Sequence, residues 1–260
     1  MISQKERQQA AEALFVAGNT SKPIVQVSKT WPKMEIEDSY AVQQMWAEMR
    51  VQAGARVIGH KIGLTSRAMQ QASKMTEPDY GVLLDDMTYA DGARIPVSRF
   101  SAPRLEVELA FVLGKRLGGK NVTIYDVLDA TAYVTPAMEI IDYRTEVPRA
   151  IVDTIADNAA AAGMVTGGRP VRPMDVDLRW CPATLSKNGI IEESGVSAAI
   201  MGHPAMGIVW LANRLARHDI MLEPGHILLA GSFTRPVDVA AGDVIHADFG
   251  PLGSIGVSFC

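Results

Sequence analysis

Two glutamates one residue apart, in Arg104-Leu-Glu-Val-Glu-Leu-Ala-Phe-Val112, are the side chains of this sequence whose type and spacing point most directly to chemistry. Side chains of a strand alternate between faces, so Glu106 and Glu108 share one face while Leu105, Val107 and Leu109 take the other. A strand with a solvated outer face would show the same Glu-x-Glu pattern. Here, however, the acidic face continues into Ala110 and Val112, which places both acids at the end of a strand that is apolar on both sides. Like charges so close in a low-dielectric setting are costly unless a cation compensates them. A third acid, Glu139, stands alone in the apolar run Pro136-Ala-Met-Glu-Ile-Ile141 and needs a partner for the same reason. Three carboxylates and no nearby histidine or cysteine suit a hard, oxygen-loving ion, Mg²⁺ first and Mn²⁺ next, rather than zinc.

Three further segments carry candidate groups. In Gly59-His-Lys-Ile-Gly-Leu-Thr-Ser66, Lys61 sits among apolar neighbours with hydroxyls just downstream. Partial desolvation would lower its pKa enough for acid/base work, or leave a charge aimed at a substrate carboxylate; a lysine in a surface loop fits the pattern equally. His60 is a secondary candidate, since an apolar setting more often makes histidine structural. Asp79, in Glu77-Pro-Asp-Tyr-Gly81, is explained by turn chemistry alone. The loop Gly231-Ser-Phe-Thr-Arg-Pro236 offers hydroxyls and backbone amides to an anionic ligand.

These groups need a scaffold. Residues 3–17 are rich in helix formers, with Ser3 as a cap and Gly18 as a stop, and residues 33–50 show helical spacing. From residue 56 short apolar pieces punctuated by glycine take over. The runs 105–113, 137–141, 227–230 and 254–259 read as strands, and 151–163 and 203–218 as helices. Turn signals at short intervals near the C-terminus favour a compact meander or roll over a βαβ array. The expected architecture is α+β: a helical N-terminal cap, residues 1–75, on a β-rich catalytic domain, residues 76–260.

Composition excludes several alternatives. A net charge of −4 with scattered Lys and Arg provides no basic stripe for nucleic acid. Cys181 and Cys260 form no redox or metal motif, no apolar run approaches a membrane span, and polar residues interrupt the N-terminal apolar patch. A cytoplasmic enzyme with neither nucleic-acid nor membrane partners is expected.

Taken in order, the segments around Lys61, Asp79, Glu106 and Glu139, together with Asp157-Asn-Ala159, Gly202-His-Pro204, Gly231-Ser-Phe-Thr234 and Gly250-Pro-Leu-Gly-Ser-Ile255, resemble the hydratase/decarboxylase branch of the fumarylacetoacetate hydrolase superfamily. The resemblance extends from about residue 30 to the C-terminus. It implies a mixed β-roll, a homo-oligomer, metal binding by Glu106, Glu108 and Glu139, and Lys61 and Asp79 as catalytic groups beside the substrate. Ser66, Arg67, Leu83, Ser232 and Thr234 are the expected substrate contacts. The implied reaction is water addition to a small 2-hydroxy-2,4-dienoic or 2-oxo-4-enoic acid, expected to be a dicarboxylate, in meta-cleavage of aromatic compounds. Its alternative is decarboxylation of a 4-oxalocrotonate-type acid through the same enolate.

Overall fold

The computed structural model describes residues 1–260, apart from the side chains of Ala68 and Ala72. The helices are α1 (Gln4–Thr20), α2 (Val27–Thr30), α3 (Ile36–Gln52), α4 (Arg67–Ala72), α5 (Ile124–Ala130), α6 (Ile151–Ala156) and α7 (Ala205–Leu215). The first strands are β1 (Val57–Gly63), β2 (Asp79–Leu84), β3 (Thr88–Tyr89), β4 (Arg94–Ile95), β5 (Arg104–Leu113), β6 (Thr131–Ile141) and β7 (Ala161–Thr166). Those that follow are β8 (Pro182–Lys187), β9 (Ile190–Val196), β10 (Ile227–Leu229), β11 (Val237–Asp238), β12 (Val244–Asp248) and β13 (Ser254–Phe259).

Two sheets result, as the α+β reading expects. The larger, in the order β2-β1-β10-β5-β6-β7-β3 with β11 also on β5, is mixed, and the smaller runs β4-β13-β12-β8-β9. Alternation decides how they meet. Leu105, Val107, Leu109 and Phe111 of β5 join Leu185, Ile245, Ala247, Ile255 and Val257 of the smaller sheet in one buried cluster. The opposite face of the larger sheet encloses a second small cluster, Leu83, Ala110, Ala137, Met164 and Leu229, directly beyond the glutamates.

The first helix starts as its cap signal predicts. The Ser3 hydroxyl accepts the Glu6 amide at 3.3 Å and the Glu6 carboxylate accepts the Ser3 amide at 2.7 Å, a reciprocal cap. The helix passes Gly18 and ends only where Ser21 adopts φ 52°. Asp38, fully buried, closes the first turn of α3 by accepting the Glu35 amide at 2.9 Å. Its carboxylate also accepts the Ile2 amide at 3.1 Å and the Arg7 guanidinium at 2.9 and 2.6 Å, so one side chain joins the N-terminus, α1 and α3. No helix among the described residues is long and apolar enough to cross a membrane.

The structure differs from the sequence reading in three further places. β1 precedes the expected boundary at residue 75 yet lies between β2 and β10, so the helical layer ends with α3. β6 starts at Thr131 rather than after Pro136; a proline lacks the ladder donor and reads as a strand end, but here the strand continues through it opposite Leu109. The helix expected over 151–163 stops at Ala156. Asp157 and Asn158 turn inward to bind Arg144 and Val82, and these tertiary bonds override the helix propensity of the alanines.

Burial alone would raise the Asp38 pKa, but the Glu35 amide, Arg7 and the Ile2 amide together hold it below its ordinary 3.8. A depressed folded-state pKa contributes stability that is present above the ordinary value and lost as pH falls through the folded one. Asp38→Ala is expected to cost about 3 kcal/mol at neutral pH. In urea denaturation at stepped pH, the variant should also lose part of the parent's destabilisation below about pH 4. An unchanged acid limb would count against this role.

Candidate active site

The pairing of β5 with β6 sets Glu106 opposite Glu139, with Glu108 one pleat further along the same face. One carboxylate oxygen from each of the three lies within 4.8 Å of the other two. Glu108 and Glu139 are completely buried, and Glu106 is half-buried at the mouth. Glu108 accepts the Gly231 amide at 2.9 Å through one oxygen. Its other oxygen, Glu139 Oε2 and one oxygen of Asp79 are buried without hydrogen bonds, and Glu139 Oε1 meets only the Lys61 ammonium. Carboxylate oxygens left without hydrogen bonds inside this three-glutamate cluster fit a hard divalent cation. The predicted ligand set is thus brought together.

Lys61, on β1, brings a buried ammonium to the same place. Its Nζ lies 3.2 Å from Glu139 Oε1 and donates to the Ala159 carbonyl at 3.0 Å. Asp79 is buried beside it: a β-carbon built on Gly63 would lie 2.2 Å from Asp79 Oδ1 and 3.3 Å from Lys61 Nζ. Only a glycine leaves room for both groups. Gly231 is confined in the same way: its φ is +111° and a β-carbon would meet Thr65 Oγ1 at 2.3 Å.

The electrostatics differ from the expectation for Lys61. Burial by itself would lower its pKa, but Glu139, Asp79, Glu108 and Glu106 outweigh burial and raise it, so it is a firmly held ammonium. The sequence showed its apolar neighbours and not the carboxylates carried by other strands. Burial, and next the Glu139 charge, push Glu106 up to about 7 and Glu108 well above the ordinary carboxylate range. Burial also raises Glu139 and Asp79, each opposed chiefly by Lys61.

A cavity of about 350 Å³ opens onto Glu106. Ser66, Ser232, Thr234 and Arg235 line it. The Ser66 hydroxyl also accepts the Met69 amide at 3.3 Å as the cap of α4. Arg67 is exposed and lines no described cavity, and Leu83 is sealed among apolar side chains beyond the glutamates. His60 belongs to the opposite side of β1. Its ring lies 6.4 Å from that of Tyr80 and 6.3 Å from that of His226, and burial depresses it to about 3, which keeps it neutral and away from the carboxylates. Sequence reasoning did not anticipate the Gly231 amide as a Glu108 ligand, nor the Ala159 carbonyl as a Lys61 acceptor. The first had a signal, the glycine beginning the 231–236 loop; the second depends on a turn that no local pattern announces.

Carboxylates raised in the folded protein contribute stability below their ordinary value, and that contribution is lost as pH rises through the folded value, about 7 for Glu106 against an ordinary 4.5. Divalent-cation binding must displace the same protons. Calorimetric titration of chelator-treated protein with Mn²⁺ should therefore show tighter binding at about pH 8 than at about pH 6, with more protons released at the lower pH. Glu139→Gln should abolish most of the heat. Binding independent of pH, or retained in that variant, would exclude this carboxylate cluster as the ion's site.

The chain's likeness to other proteins agrees with this geometry. It is 52% identical over 256 residues to 2-oxo-hept-4-ene-1,7-dioate hydratase of Escherichia coli, spanning 96% of each chain. It is 38% identical to 2-keto-4-pentenoate hydratase of Paraburkholderia xenovorans, over 99% of this chain and 96% of that one. A solved structure of 4-oxalocrotonate decarboxylase from Pseudomonas putida G7, complexed with magnesium and adipate, superposes with a TM-score of 0.97 at 32% identity, covering 100% of this chain and 99% of that one. The family model described as fumarylacetoacetate (FAA) hydrolase C-terminal matches residues 42–259, and with that match and these relatives the chain belongs to the fumarylacetoacetate hydrolase family.

Proposed function

We propose that this protein is a metal-dependent hydro-lyase that adds water to a 2-hydroxy-2,4-dienoate or 2-oxo-4-enoate, with 2-oxohept-4-ene-1,7-dioate as its substrate and Mg²⁺ as its ion. The observation that carries the reading is the three-carboxylate cluster with a buried lysine at its edge and a cavity at its mouth. The 52% identity to a named dioate hydratase favours hydration over decarboxylation, as does the lower 32% identity to the decarboxylase. Glu106, Glu108 and Glu139 would hold the cation, which supplies positive charge for the negative charge developing on a 2-oxo acid's C2 oxygen.

The remaining chemistry is proton movement. In the dienol the 2-hydroxyl loses a proton and C5 gains one, which leaves a 2-ketone conjugated to a C3–C4 double bond. Water oxygen then bonds to C4 and a proton reaches C3, giving the 4-hydroxy-2-oxo acid. Lys61 Nζ and Asp79 Oδ1 form the pair that exchanges these protons, Lys61 entering as an ammonium because the surrounding carboxylates hold its proton. Ser66, Ser232 and Thr234 offer hydroxyls along the cavity wall. Arg235, held by Glu193 at 2.7 Å, is the cavity's guanidinium for a distal carboxylate.

Incubation with 2-hydroxyhepta-2,4-diene-1,7-dioate should give Mg²⁺-dependent loss of dienol absorbance and the 4-hydroxy-2-oxo acid, without CO₂. Release of CO₂ would move the reading to decarboxylase. Lys61→Ala should lower kcat by about 100-fold or more. Arg235→Ala should raise KM about tenfold for the diacid and leave a monocarboxylic dienoate unaffected, whereas an equal effect on both would remove Arg235 from distal recognition.

A further inference from the structure

Between α6 and β7, Asn158, Ala159 and Ala160 all adopt left-handed backbone angles, with φ of 53°, 50° and 64°. Single left-handed residues are common in turns, but consecutive ones carrying β-carbons persist only where the surroundings impose them. The surroundings here are specific. The Asn158 side chain pairs with the backbone of Val82 in both directions: its Oδ1 accepts the Val82 amide at 2.7 Å and its Nδ2 donates to the Val82 carbonyl at 2.9 Å. A β-carbon at Gly81 would lie 2.4 Å from the Asn158 carbonyl oxygen, so the glycine lets the turn close against β2. Asp157 anchors the start by accepting the Arg144 amide at 2.8 Å, and the Ala160 carbonyl anchors the end by accepting the Asp142 amide at 3.0 Å.

Of the two carbonyls between those anchors, that of Asn158 faces Gly81 and that of Ala159 accepts the Lys61 ammonium. We propose that Asn158 is a positioning residue for Lys61: by locking the left-handed turn onto Val82, it aims the Ala159 carbonyl so that Nζ is held at one point beside Glu139 and Asp79. A lysine stem has many rotamers, and an ammonium near several carboxylates is drawn toward each of them. A neutral acceptor fixed in the backbone restrains it without adding charge that the carboxylates would have to share. This inference rests on the reading of Lys61 as a proton-transfer group.

The test compares kcat, KM and Mn²⁺ affinity in Asn158→Ala, Gly81→Ala, Lys61→Ala and the Asn158→Ala/Lys61→Ala double variant, all as full-length protein. Gly81→Ala displaces the turn without altering the Asn158 side chain, and so serves if Asn158→Ala fails to fold. Each of these two variants should lower kcat about 10- to 100-fold, as loss of a supporting contact does, while KM and the Mn²⁺ dissociation constant stay within about twofold. In the Lys61→Ala background, Asn158→Ala should produce no further loss, because its effect passes through the missing amine. Losses that multiply in the double variant, or a rise in KM and Mn²⁺ dissociation constant in step with the fall in kcat, would make Asn158 merely structural and overturn the proposal. Full turnover by Asn158→Ala and Gly81→Ala with an inactive Lys61→Ala would overturn it alone, whereas full turnover by Lys61→Ala would remove the reading of Lys61 on which it rests.

Discussion

The register of β5 against β6, which places Glu106 opposite Glu139 and Glu108 beside them, governs the rest of the site. Three carboxylates with oxygens within 4.8 Å of one another, two of them completely buried, would repel strongly in a medium of low dielectric. The protein answers that charge only in part, with the ammonium of Lys61 on one side and the Gly231 amide on the other. Several buried oxygens remain without partners, and this incomplete compensation is what suits the cluster to a cation. The strands could not be slipped by one residue to relieve the repulsion. That slip would turn Leu105, Val107 and Leu109 out of the core shared by the two sheets, so apolar packing on one face enforces the unfavourable juxtaposition on the other.

The elements around β5 and β6 serve the same arrangement. β1 pairs in parallel with β10 and antiparallel with β2, which brings Lys61 and Asp79 toward the carboxylates from one direction and the Gly231 loop from another. The helical layer contributes at a distance. Gln43 of α3 is buried and donates to the carbonyls of both Tyr80 and Ile155, each at 2.9 Å, tying β2 to α6 on the side of the sheet where the left-handed turn forms. Glycines mark the crowded positions. Gly63, Gly81 and Gly231 each face an atom closer than a β-carbon would tolerate, and the crowding atoms belong to Asp79, Asn158 and Thr65.

What could be seen in the sequence and what could not divide along a physical line. The alternation in 104–112 and the lone acid at 139 are local patterns, and both registered correctly because a strand's two-residue period is intrinsic to its backbone. The Ser3 cap was legible because a capping box is complete within four residues. Failures fell where a distant partner overrode a local preference. The alanine-rich stretch after Ala156 has helix propensity, but Asp157 and Asn158 find stronger partners in Arg144 and Val82. Leu83 and Arg67 stand close in sequence to Asp79 and Lys61, yet one packs behind the glutamates and the other faces solvent.

Thus the amino-acid sequence alone determined the α+β class and the shared strand face of Glu106 and Glu108, since these follow from residue type and backbone period, whereas the pairing of β5 with β6 added Glu139 to that face. Only the tertiary structure decided that Lys61 keeps its proton, that Gly231 holds Glu108, that His60 is turned away and that the Ala159 carbonyl meets the ammonium. Each of those outcomes depends on atoms brought together from strands and turns far apart in the chain, where Coulomb interaction, desolvation and hydrogen bonding vary with distance in space and not with separation in sequence.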